Sequence, residues 1–159
     1  MSPEHAAKLR ALVHGRTAAA LGTLHEGAPF VSMVPFALLS DGSAFVVHVS
    51  GLAGHTKDMR MDSRVSLLVM QAEGAGTDTQ ALARVSVQGD AKECPRGSPE
   101  EAAARAAYLT RFPEAEPLTS FGDFAFFTIR PVQARFVAGF AQAMSATGET
   151  LAKVLGTRN

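Results

Sequence analysis

Thr17-Ala-Ala-Ala-Leu-Gly-Thr-Leu24, His25-Glu-Gly-Ala28 and Pro29-Phe-Val-Ser-Met-Val-Pro-Phe-Ala-Leu38 decide the fold of this chain. The first and third pieces are apolar runs with β-branched residues, and the four residues between them form a glycine-containing connection of hairpin length. Two antiparallel strands are therefore expected. Downstream, Ser40-Asp-Gly-Ser43 reads as a turn and Ala44 to Ser50 as a third strand of the same meander. Val65 to Met70 adds a fourth strand, and Arg84-Val-Ser-Val-Gln-Gly89 alternates polar and apolar residues at period two, as a half-buried strand does. Phe124 to Arg130 and Gln133 to Ala138 are two more, joined at Pro131.

The helices are fewer and shorter. Ser2 before Pro3 is a cap with proline at the first helical position, opening a helix that ends at Gly15. Ser98-Pro-Glu-Glu101 is a capping box for a helix through Arg111, which Pro113 stops. A short helix over residues 55–62 follows the third strand, and Glu73 to Gln80 is a polar loop. Strands joined by hairpins, without regular strand–helix alternation, exclude a doubly wound parallel sheet. The expected fold is mainly β (α+β): one domain over residues 1–159, with a six- to seven-stranded antiparallel barrel across residues 17–143 and a tail from residue 144.

At 159 residues and 47% hydrophobic content the chain is long enough to bury one core. Fifteen basic and fifteen acidic residues cancel, and no basic run occurs, so neither nucleic acid nor an anionic membrane surface is an expected partner. Cys94 is the only cysteine, which excludes an internal disulfide framework and fits a reducing, cytoplasmic setting. Lys8, Arg10 and His14 interrupt the first apolar stretch, so no secretory signal or membrane span is expected there.

Chemistry concentrates in Val46-Val-His-Val-Ser-Gly-Leu-Ala-Gly-His-Thr-Lys-Asp-Met59, where a strand runs through small residues into a helix start. Free N–H groups and the positive helix end there suit an anion, and Ser50, Thr56 and Lys57 add two hydroxyls and a charge. The alternative is a plain turn in which Thr56 caps the helix. No dinucleotide fingerprint, P-loop, His-Glu-x-x-His or nucleophile elbow is present, and the five histidines are scattered. No metal site and no catalytic residue is read from the sequence.

Taken in order, Leu21-Gly-Thr-Leu24, Pro29 to Phe36, Ser50 to Met59, Asp62-Ser-Arg-Val-Ser-Leu-Leu-Val69, Arg84 to Gly89, Phe121-Gly-Asp-Phe124 and Gly139-Phe-Ala-Gln-Ala143 resemble the flavin-binding split barrels related to pyridoxamine 5′-phosphate oxidase. Within that family the resemblance is to the branch containing haem-utilisation proteins. It implies a homodimer with FMN in grooves between the subunits. It further implies that the backbone of Ser32-Met33-Val34-Pro35 lines the flavin ring and that Ser50, His55, Thr56 and Lys57 hold the phosphate. Arg84 and Gln88 would approach the ring or ribityl chain, and Phe140 would close the site from the other subunit.

The chain departs from the oxidase itself. Val31-Ser-Met-Val-Pro-Phe36 stands where the oxidase has a basic strand, and there is no tryptophan, so oxidation of pyridoxamine phosphate is not expected. No histidine follows His55, so axial ligation from a C-terminal extension is not expected either. The expectation is an FMN-dependent oxidoreductase acting on a small molecule. The alternatives are a haem-binding or haem-degrading protein and a non-catalytic flavin-binding dimer, with F420 or haem as other occupants of the groove.

Overall fold

Alternation at period two produces the sheet. In a computed structural model describing residues 1–157, β5 (Arg64–Met70) and β6 (Arg84–Glu93) bury every second residue, as their sequences require. They pair antiparallel within an eight-stranded sheet whose other members are β1 (Ala18–His25), β2 (Ala28–Pro35), β3 (Ala37–Leu38), β4 (Phe45–Ser50), β7 (Phe124–Val137) and β8 (Ala143–Thr147). The spatial order is β2-β1-β5-β6-β7-β4-β3, with β8 added on β7. Every pairing is antiparallel, and the sheet curls into a split half-barrel.

The β1–β2 hairpin turns on Glu26 and Gly27, both at positive φ (51° and 81°), the geometry whose twist matches that of the strands. Pro29 to Leu38 is interrupted at Phe36, whose N–H donates to the Thr17 carbonyl while its ring enters the core. Phe124 to Val137, expected as two strands, is one. The residue following Pro131, Val132, is pushed out as a bulge opposite Gln88 and Gly89. Gly89 permits this, because a Cβ there would lie 2.6 Å from the Arg130 carbonyl oxygen.

The main core packs Leu21, Phe45, Val47, Leu67, Val87, Ile129 and Phe136 beneath two helices, α1 (Pro3–Gly15) and α4 (Gly148–Leu155). The expected tail thus holds β8 and α4, whose Leu151 and Leu155 are fully buried. Arg10 fastens α4 by donating to the Val154 and Gly156 carbonyls, and His14 Nε2 bonds the Leu155 carbonyl at 2.9 Å. A smaller core under α3 (Pro99–Arg111) gathers Val46, Cys94, Ala104, Tyr108 and Phe126. β4 is consequently covered on both faces, and His48 on its outer side packs against Tyr108, Phe124 and Phe126. The remaining helix, α2 (Gly54–Met61), lies across β1. No helix among the described residues is long and apolar enough to cross a membrane.

Candidate functional site

The turn singled out in the sequence folds as expected, but with a different interior. Ala53 occupies the cap of α2 and makes no side-chain cap hydrogen bond, so Thr56 does not cap the helix. Thr56 sits in the first turn, fully buried, and its Oγ1 has no hydrogen-bond partner among the described residues. Ser50 Oγ accepts from the Leu52 amide at 3.2 Å, while Lys57 is exposed and forms no ion pair among the described residues. His55 turns back to β2, where its Nδ1 lies 3.0 Å from Ser32 Oγ. Burial holds the His55 ring below the ordinary histidine range, so it is neutral at pH 7.

One turn further along α2, Asp58 is 4% exposed. Thr23 Oγ1 donates to its Oδ2 at 2.8 Å, and His25 Nδ1 meets its Oδ1 at 2.8 Å. The hydrogen bond to His25 draws the carboxyl below its usual range, with help from Thr23 and against the effect of burial. The same bond raises His25. This network pins α2 to the β1–β2 hairpin and was not singled out in the sequence. Its signal there was Thr23-x-His25, two polar residues on the inward face of an otherwise apolar strand.

The other nominated residues distribute over the sheet. Val34 is 2% exposed and belongs to the core, whereas Met33 is 66% exposed and Pro35 is exposed. Arg84 and Gln88 share one face of β6, about 13 Å apart at strand spacing. Arg84 donates to the Gln80 and Leu82 carbonyls of its own turn. Gln88 bonds Gln133 and lines a shallow groove of about 470 Å³ with Gly22, Phe30, Val31, Arg64 and Val132. Phe140 is exposed at the β7–β8 turn, between Gly139 (φ 147°) and Ala141 (φ 59°). Ser32 and His55 are thus brought into contact, Gln88 lies in the groove beside β2, and Arg84 and Phe140 stand toward the other end of the sheet.

Phe30, Val31 and Met33 are all more than half exposed, an uncommon concentration for a single strand. Close to them the sheet is lined by small residues: Gly22 pairs with Val31 on one side and Ser66 on the other, and a Cβ at Gly22 would lie 2.7 Å from Ser66 Oγ. No cluster of metal ligands occurs among the described residues.

A split barrel with an apolar edge strand and a polar helix start beside it defines a class, and the sequence comparison gives the family. Residues 6–138 match the pyridoxamine 5′-phosphate oxidase family, to which the chain belongs. The chain is 36% identical over 145 residues to a chloroplastic heme oxygenase, HOZ, of Arabidopsis thaliana, covering 89% of this chain and 43% of that protein. It is 29% identical over 127 residues to the heme oxygenase HutZ of Vibrio cholerae, covering 79% of this chain and 71% of that one. Among solved structures, a heme-binding protein from Mycobacterium smegmatis superposes with a TM-score of 0.83 at 33% identity, over 96% of this chain and 61% of that one. The chain therefore spans less than half of the plant relative and under two thirds of the mycobacterial one. These relatives place it in the haem-utilisation branch and overturn the expectation of an FMN-binding oxidoreductase, a flavoprotein: the shared split barrel fixes the fold without fixing the cofactor.

Proposed function

We propose that this chain is a haem-binding protein, acting in haem capture or degradation, and that it works as a homodimer with its sites between subunits. The observation that carries the reading is the exposed apolar strand β2, whose Ser32 meets the His55 ring and whose groove is lined by the exposed Arg64. Haem asks for a flat apolar surface, an iron ligand and positive partners for its propionates. Val31 and Met33, two residues apart and so on one face of β2, supply the surface, and Phe30 stands on the strand's other face. Arg64, which lines the groove with Phe30 and Val31, is the cation there, although it is also paired with Asp62 at 2.7 Å, and the exposed Lys57 of α2 would be a second.

When bound, haem supplies the redox-active iron. The protein's part is to orient and shield it. With His55 neutral, Nε2 would be free to hold the iron in the tautomer in which Nδ1–H donates to Ser32 Oγ. The small residues around Gly22 and Ser66 allow a second copy of the sheet to approach, so that Phe140 of one subunit covers β2 of the other. Burial of the otherwise exposed strand between subunits also excludes water from the groove.

A haemin titration followed by absorbance tests the reading. The wild-type chain is expected to retain a Soret band after desalting, and His55→Ala to shift or weaken it. A wild-type chain that retains no band contradicts the proposal. Sedimentation at several concentrations is expected to show a dimer, and a monomer at all concentrations would remove the shared site.

A further inference from the structure

A second cavity lies away from β2. It encloses about 670 Å³ between the end of α1, β3, the Ser40–Asp41 turn, α3 and the end of α4. Ala37, Leu38, Leu39, Ala107 and Leu155 give it apolar walls. One cation reaches into it. Arg111, in the last turn of α3, is half-buried, with its guanidinium carbon 4.8 Å from the centre of the Phe36 ring.

Arg111 has more donors than partners. Its Nη2 serves the Val13 and His14 carbonyls at 3.2 and 3.0 Å, which closes the C-terminal end of α1. Among the described residues Nε and Nη1 have no hydrogen-bond partner, and no carboxylate forms an ion pair with the side chain. Burial alone lowers its pKa, as it does for a cation withdrawn from water without a counter-charge. Of the other donors on the wall, His14 is committed to the Leu155 carbonyl, Thr110 to the Ala106 carbonyl and Thr157 to the Ser40 carbonyl, which leaves the Ser40 hydroxyl as the second donor without a partner among the described residues.

We infer that this cavity binds an apolar molecule carrying a single carboxylate, with the carboxylate on the uncommitted guanidinium hydrogens of Arg111 and the apolar body against Ala107, Leu38 and Leu39. Volume and lining fall in the range of small-molecule sites, and a half-buried guanidinium with free donors is a good carboxylate partner. Asp41 sets the limit of one carboxylate. It stands on the rim, ionised and hydrogen-bonded by the Ser43 amide at 2.9 Å, and repels a second negative group. The site is independent of the haem reading, because none of its residues belongs to the β2 face.

Calorimetric titration of the full chain with dodecanoate and with 1-dodecanol, both below their aggregation limits, tests the inference. Dodecanoate is expected to bind at least tenfold tighter than the alcohol, and Arg111→Met to erase that preference. Ala106→Phe, which fills the cavity from an exposed position on α3, is expected to abolish binding of both without altering thermal unfolding. No binding of dodecanoate to the wild type, equal binding of acid and alcohol, or unchanged binding in Ala106→Phe would each overturn it. Since Arg111 also closes α1, Arg111→Lys supplies a second reading: it keeps the charge and is expected to keep the preference for the acid.

Discussion

β2 and β4 are similar in composition and opposite in fate. Phe45-Val-Val-His-Val-Ser50 is buried along nearly its whole length, the barrel core on one side and α3 on the other. Ala28-Pro-Phe-Val-Ser-Met-Val-Pro35 is mostly exposed, and only Val34 is fully buried. Apolar side chains that the chain covers itself contribute to folding. Those it leaves uncovered are available for association, and the proposed function uses them for it.

The contrast is broken most directly by truncation in each strand. Phe45→Ala is expected to cost about 3–5 kcal/mol of stability, because it leaves a cavity in a filled core. Phe30→Ala, the same change in β2, is expected to cost about 1 kcal/mol or less when measured on the isolated chain. Urea unfolding of both variants checks this, and equal losses would mean that β2 is structural after all. Next in size is Thr23→Val, which removes the donor to buried Asp58 and is expected to cost about 1.5–3 kcal/mol, the range for a hydrogen bond to a charged group.

The pH dependence of the His25–Asp58 pair sharpens the boundary between the two regions. His25 has a folded pKa raised above 6.5, so its contribution is fully present below 6.5 and fades as pH rises through the higher folded value. Asp58 has a folded pKa below 3.8, so its contribution is present above 3.8 and fades as pH falls through the lower folded value. The stability difference between wild type and His25→Ala is therefore expected to be largest between pH 3.8 and 6.5 and to shrink in alkali. A difference that grows above pH 7 would contradict the assigned hydrogen bond. The smallest effect is expected for Met33→Ser, within about 0.5 kcal/mol in the same unfolding assay.

The strands, the hairpin at Glu26–Gly27 and the capped helices were legible because alternation, turn residues and caps are local signals. β8 and α4 were not, because Ala143 to Thr147 is neither β-rich nor alternating and pairs only through the neighbouring edge of β7. The helix-start turn was legible as a place, while its wiring was not. Asp58 reads as one more polar residue in a short helix, and only the fold brings Thr23 and His25 to it. Nor does the sequence distinguish β2 from β4, since coverage by α3 depends on residues 50 positions away. The cofactor was misjudged for a related reason: the split barrel is shared across the family, and what it holds is decided by surface residues of this kind.

The central claim is that β2 is apolar for the sake of haem and a second subunit. The measurement that tests it most directly is haemin retention and sedimentation of Val31→Glu with Met33→Glu, compared with the wild-type chain. A folded monomer that has lost the Soret band is the predicted result; a variant that still dimerises and retains haemin as the wild type does would contradict it.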